Sequence, residues 1–202
     1  MPKLFLCSSF NDVANLLPEF IENLSGKHIT FIPTASLPET VKFYVADGKQ
    51  ALEKMGVIVD ELEISRATPN EIKEKLTHND GIYITGGNTF FLLQTLKQTG
   101  ADKLIIEHIQ QGKLYIGESA GAIVLSPNIS YILDMDDLSK APELNSYHGL
   151  NSIDFYPLPH YGEMPFAQIV DNIICNYKDK LTLYPINNTQ AIMIDGKRLK
   201  IS

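Results

Sequence analysis

Residues 114–121 read Leu-Tyr-Ile-Gly-Glu-Ser-Ala-Gly. The apolar run Leu114-Tyr115-Ile116 leads into Gly117-Glu118-Ser119-Ala120-Gly121, a G-x-S-x-G pattern, and Ala122-Ile123-Val124-Leu125 then reads as the start of a helix. The pattern describes a strand that turns sharply into a helix and leaves one serine at the apex. Glycines two before and two after the serine let the chain pass close to itself without Cβ clashes. The serine hydroxyl is then exposed, and the N–H of the next residue points at the same space, which is what a nucleophile requires. Gly, Ser and Ala also gather at strand-to-helix turns for packing alone. The pentapeptide therefore takes its weight from the strand before it and the helix after it.

Outward from this turn the chain alternates short apolar runs with longer amphipathic ones. Strands are predicted over residues 4–7, 29–32, 57–59 with 62–64, 81–85, 114–116, 181–184 and 191–194, and helices over 11–24, 39–55, 69–77, 89–98, 101–111 and 165–177. Asn11, Pro38, Pro69 and Asn88 suit helix starts, and Gly26, Gly56, Gly100 and Gly112 suit helix stops. Asp195-Gly196 is a tight-turn pair flanked by strand-like sequence. Alternating βα units imply an α/β domain, a mostly parallel sheet covered by helices on both faces, with its site at the carboxyl ends of the strands. Ser8, Pro33-Thr34-Ala35, Gly86-Gly87-Asn88 and the Ser119 turn all fall at such ends. The longest aperiodic stretch, residues 126–163, is rich in Asp, Pro, Ser and Asn, as a functional loop would be.

Composition narrows the function. The chain has 202 residues, so a single domain over 1–202 is expected. Its net charge of −7 without a basic cluster repels phosphate backbones and argues against nucleic-acid binding. Cys7 and Cys175 have no metal-ligand spacing and read as reduced core thiols of a cytoplasmic protein. The apolar run at the N-terminus is too short for a signal peptide and reads as a first strand, and no stretch reaches the length of a membrane span.

A serine nucleophile needs a base, a group that orients the base, and an oxyanion hole. Gly86-Gly87-Asn88-Thr89 closes the strand before the Ser119 strand and opens a helix, so the N–H groups of Gly87 and Ala120 are the candidate oxyanion donors. The same turn is also accounted for as a tight connection with Asn88 as its cap. Of five histidines, His28, His78 and His108 read as structural or solvated. His148 and His160 lie in the long loop region, and His160 follows an apolar run and two stiffening prolines, Pro157 and Pro159. Candidate orienting acids include Asp134, Asp136, Asp137, Glu143, Asp154 and Glu163, most of them expected to be solvated.

Gly-Gly-Asn-Thr-Phe at 86–90, Gly-x-Ser-Ala-Gly-Ala at 117–122, Asp134-Met135 and Pro-His at 159–160 resemble the aspartyl dipeptidase and cyanophycinase-like serine peptidases. The resemblance runs through most of the chain. It implies a glutamine-amidotransferase-like (flavodoxin-like) single-domain three-layer fold, with Ser119 as nucleophile, His160 as base, Gly87 and Ala120 at the oxyanion hole, and Asp134 in the charge relay. No metal or cofactor is implied. Two departures stand out. Where such peptidases carry an acid before the last strand, this chain has Asn188, which orients a histidine but adds no charge, so Asp134 is expected to matter more. Such dipeptidases also place an arginine beyond the histidine to hold the substrate carboxylate, whereas this chain has only Arg66 and Arg198, so strict selection of N-terminal aspartate is not expected.

The leading expectation is a serine peptidase acting on small peptide substrates, with a homodimer as a possible assembly. A serine esterase or amidase of the α/β-hydrolase kind is an alternative, but fifteen residues from Ser119 to Asp134 leave no room for its usual intervening βα unit. A catalytically silent binding protein of the same fold is the other, kept open by Asn188.

Overall fold

The computed structural model describes residues Met1–Ser202. Five parallel strands form one side of a seven-stranded sheet: β1 (Lys3–Cys7), β2 (His28–Ile32), β3 (Ile58–Glu61), β4 (Gly81–Ile84) and β5 (Leu114–Glu118). A separate parallel pair joins β6 (Tyr156–Leu158) to β7 (Leu183–Pro185). Two antiparallel strands extend the main sheet, β8 (Ala191–Asp195) and β9 (Arg198–Ile201), giving the order β3-β2-β4-β5-β1-β8-β9. The helices are α1 (Phe10–Val13), α2 (Leu17–Phe20), α3 (Phe43–Lys54), α4 (Pro69–His78), α5 (Thr89–Thr99), α6 (Ala101–Gln110), α7 (Ala120–Ile123) and α8 (Ala167–Tyr177).

The three layers follow from the two-residue period of the strands. Leu4, Leu6, Ile82, Ile84, Tyr115, Ile192 and Ile194 face one side and pack with residues of α4 to α8. Phe5, Cys7, Ile29, Phe31, Tyr83, Ile116, Ala191 and Met193 face the other and pack with α1, α2 and α3. The inner strands β1, β4 and β5 are thus buried on both faces, as strands of a sheet covered on both sides must be. Local signals set the helix ends: Thr68 and Glu71 form a reciprocal capping box on α4, and Asn88 Oδ1 accepts from Phe91 N–H at the start of α5.

The expected fold is the observed one, with local differences. Residues 62–64 leave the sheet rather than continue β3, although Leu62 and Ile64 remain buried. The helix expected over 11–24 is broken into α1, a single tight turn (Ala14–Leu16) and α2, where Pro18 falls in the first turn. β6 has no counterpart among the expected strands, and β9 completes the hairpin announced by Asp195-Gly196. Cys7 is buried, but Cys175 is exposed on α8 and so is not a core thiol. No helix is long and apolar enough to cross a membrane.

Candidate active site

Ser119 stands between the last residue of β5 and the first of α7, with φ +46° and ψ −103°. That backbone is costly for a residue with a Cβ and is held by its surroundings. Ser119 N–H donates to Cys7 O at 2.8 Å, and Ser119 O accepts from Ala122 and Ile123 N–H at 2.9 Å. A Cβ at Gly117 would run into the Gly121 backbone, and one at Gly121 into Ile84 O, so the sharp turn depends on both glycines.

The small β6–β7 pair places His160. Leu158 of β6 stands opposite Pro185 of β7, so the residues just beyond each strand, His160 and Asn188, become neighbours. Ser119 Oγ lies 2.9 Å from His160 Nε2, and His160 Nδ1 lies 3.0 Å from Asn188 Oδ1. With Nδ1–H donating to Asn188 Oδ1, Nε2 is left as an acceptor for the Ser119 O–H, the tautomer a general base needs. Further contacts hold the imidazole in place. His160 N–H donates to Ser8 Oγ at 3.1 Å, Ser8 Oγ–H donates to Ile186 O at 3.0 Å, and the Phe166 ring stacks on the imidazole at 4.7 Å. Burial holds the imidazole below its ordinary pKa, while the Asn188 bond and the Glu163 carboxylate offset part of that shift.

The Gly86–Gly87 turn lies beside the Ser119 turn. Ser119 Cβ and the Tyr44 ring both lie against Gly86. Gly87 has φ +130° and is pressed onto the Ala35 backbone, where a side chain would not fit. Its N–H donates to nothing in the protein. Ala120, the first residue of α7, likewise has no intrahelical acceptor for its N–H. A serine hydroxyl paired with a histidine and neighboured by such unpaired amides is an arrangement suited to acyl transfer.

The structure does not bring Asp134 to this group. Asp134 is exposed, in the turn after Ser130–Ile132, and makes no hydrogen bond to His160, whose Nδ1 is taken by Asn188. Asp136 sits closer to the site in connectivity: its Oδ2 accepts from Thr89 N–H at 2.7 Å, at the N-terminus of α5. Burial pushes its carboxyl up to about 6, against the pull of Thr89 and with Glu39 adding to the rise. His148 is exposed and bonded to Ser146, and His108 is buried between Leu76 O and Leu114 O. No group of three or more His, Cys, Asp or Glu side chains is gathered anywhere in the molecule.

Two contributors escaped the sequence reading. Phe166 carries no signal six residues past the histidine. Glu118 does carry one, an acid inside an otherwise apolar strand. Its buried carboxylate accepts from Phe10 N–H at 2.9 Å, Tyr83 Oη–H at 2.9 Å and Gly86 N–H at 3.2 Å.

Comparison with known proteins agrees with this geometry. The model of peptidase family S51 matches residues 4–202. An uncharacterized peptidase of Listeria monocytogenes is 57% identical over 199 residues, covering 98% of this chain and 97% of that protein. A peptidase E of Pasteurella multocida is 30% identical over 192 residues, covering 92% of this chain and 79% of that one. The crystal structure of a putative peptidase E protein from Listeria monocytogenes EGD-e superposes with a TM-score of 0.97 at 55% identity, covering 100% of this chain and 98% of that one.

Proposed function

From the premise that this chain belongs to peptidase family S51 and is a serine peptidase, we propose that it hydrolyses small peptides with Ser119 as nucleophile, His160 as base, Asn188 as the orienter of His160, and the Gly87 and Ala120 amides as the oxyanion hole. The observation that carries the reading is the 2.9 Å contact of Ser119 Oγ with His160 Nε2.

The reaction runs in two halves. Ser119 Oγ attacks the peptide carbonyl carbon as its proton passes to His160 Nε2, and the carbonyl oxygen takes the negative charge between the two N–H groups. The C–N bond breaks, and the leaving amine takes the proton from Nε2. Water then attacks the acyl-serine as its proton passes to His160 Nε2, the Oγ–acyl bond breaks, Ser119 Oγ takes that proton back, and the new carboxylic acid departs. Throughout, Asn188 Oδ1 holds Nδ1–H and keeps Nε2 aimed at the serine. An amide does this by dipole alone, so the imidazolium formed in each half is stabilised less than beside a carboxylate.

The reading makes no provision for an acidic first residue. Arg66 is exposed in the segment after β3, and Arg198 lies on β9 at the far edge of the sheet. The charged groups that act on Tyr44, Asp136 and His160 are Glu39, Glu118, Asp136 and Glu163, all acids.

The test is covalent labelling with a fluorophosphonate, read by peptide mass spectrometry, alongside turnover of a dipeptide library. A single adduct on Ser119, with both adduct and turnover lost in Ser119→Ala, is expected. Removing such a nucleophile costs on the order of 10⁶ in kcat. An unlabelled, inactive wild-type protein would identify a silent binding protein. Turnover confined to p-nitrophenyl esters would identify an esterase.

A further inference from the structure

Glu118 is 3% exposed and pairs with no cation. Burying an ionised carboxylate without a counter-charge is costly, and an apolar residue would suit the end of an interior strand better. Burial does push its carboxyl above the ordinary value, although its three hydrogen-bond donors pull it back. Those donors come from three different segments. Phe10 opens α1 just after β1, Tyr83 belongs to β4, and Gly86 to the turn that carries Gly87. One carboxylate therefore ties the segments after β1 and β4 to the residue next to the nucleophile.

Glu118 holds the N–H of the preceding Thr85–Gly86 peptide, and the Gly86–Gly87 peptide is held through its own carbonyl. Thr85, fully buried, donates its hydroxyl to Gly86 O at 3.0 Å. Across a trans peptide the C=O and the following N–H point in opposite directions, so anchoring Gly86 O fixes where Gly87 N–H points. Beyond it, Asn88 N–H is bonded to Ala35 O at 2.8 Å. A peptide between two glycines rotates with little steric resistance. A half-turn would present the Gly86 carbonyl, an acceptor, where the substrate oxygen needs a donor.

We propose that Glu118 and Thr85 are positioning residues for catalysis, which clamp the Gly86–Gly87 segment through Gly86 N–H and Gly86 C=O so that Gly87 N–H faces the substrate carbonyl oxygen. Neither touches the substrate. The inference rests on the peptidase reading, in which Gly87 is an oxyanion donor, and it assigns a purpose to the acid inside the G-x-S-x-G pattern.

The experiment compares Glu118→Gln, Thr85→Val and Thr85→Ser with the wild-type enzyme on one dipeptide, with kcat expressed per fluorophosphonate-titratable site. Loss of one oxyanion donor costs roughly 10²–10³ in kcat, so Thr85→Val and Glu118→Gln should each lose at least about tenfold. KM should stay within about twofold, because the lost interaction belongs to the transition state. Thr85→Ser, which keeps the hydroxyl, should return to within about threefold of wild type. A merely structural role would lower Tm and the titratable fraction but not kcat per site. If Glu118→Gln does not fold, the neutral and nearly isosteric Thr85→Val decides alone. Wild-type kcat per site in a folded Thr85→Val protein would overturn the proposal. An inactive, unlabelled wild-type enzyme would overturn the peptidase reading instead.

Discussion

Replacing Asn188 by aspartate should make the enzyme faster and move its pH dependence. Asn188 Oδ1 lies 3.0 Å from His160 Nδ1, and Asn188 Nδ2 has no protein partner to hold the amide one way round. A flipped amide would offer a donor to Nδ1, forcing the proton onto Nε2, where it blocks the base. A carboxylate has no such wrong orientation, and its charge faces the imidazolium directly. An opposite charge at this range raises a histidine pKa by about 1–3 units, or ~1.4–4 kcal/mol, which is a rate factor of roughly 10 to 1000 where the imidazolium forms in the transition state. The reverse exchange in a well-characterised Ser–His–Asp triad costs about 10⁴ in kcat, which bounds the gain. The sign with pH follows. Neutral His160 is the active base, and burial now holds its pKa below the ordinary value of 6.5, so activity persists into mildly acidic solution. The carboxylate of the Asn188→Asp variant would carry the acidic limb of the kcat/KM profile upward by the same margin, about 1–3 units for a facing charge. The variant should overtake wild type above that limb, with the two curves crossing below it. The assay is kcat/KM on one dipeptide, followed from mildly acidic to mildly alkaline solution. A uniform change with no movement of the limb would refute the reasoning, because it would mean that residue 188 does not act through the charge of His160.

Three further outcomes follow from the same geometry. Asp134→Asn should keep activity within about twofold, since Asp134 is exposed and unconnected to the imidazole, whereas Asn188→Ala should lose at least about tenfold; a larger loss in Asp134→Asn would restore the aspartate to the relay. Asp136→Asn should stabilise the protein by about 3 kcal/mol at roughly pH 8, in urea unfolding. The folded-state pKa of Asp136 is raised from 3.8 to about 6, so native protein binds the extra proton in that window. Stability therefore falls as pH rises through it, and the gain should vanish at about pH 3.5; an equal effect at both pH values would contradict this. Asp-X dipeptides should show no large advantage over Ala-X or Leu-X in kcat/KM, and a preference of roughly 10³-fold, about 4 kcal/mol, would reveal a carboxylate-binding group among the residues around Ser119.

The sheet was legible because each βα unit repeats a local signal: an apolar run, a turn, an amphipathic run. The turns that carry Ser119, Gly87 and Ala120 were legible for the same reason, since strand end, turn and helix start lie within a few residues of one another. His160 was marked locally only by its apolar lead-in and two prolines, and the resemblance was needed to raise it above the other loop histidine, His148. The choice between Asp134 and Asn188 depended on a contact that no local pattern encodes. β6 and β7 are three residues each, and their pairing joins segments far apart in the chain. Chemical type favoured the carboxylate, and proximity selected the amide. Glu118 was hidden differently, standing at the unspecified position of the motif, where its burial and its three donors appear only once β1 and β4 are laid beside β5.

The β6–β7 ribbon divides the machinery in a way that matters for how it can vary. Its two strand ends carry both the imidazole and the amide that aims it, while the serine and the free amides ride on the main sheet. Relative movement of these two bodies leaves the imidazole's tautomer untouched and changes one coordinate, the reach from Nε2 to Oγ. The Ser8 hydroxyl, bonded to the ribbon at His160 N and Ile186 O, sets that reach from the end of β1. Aim and range are therefore separately adjustable: exchanging residue 188 retunes the base without shifting it, and altering residue 8 shifts the base without retuning it.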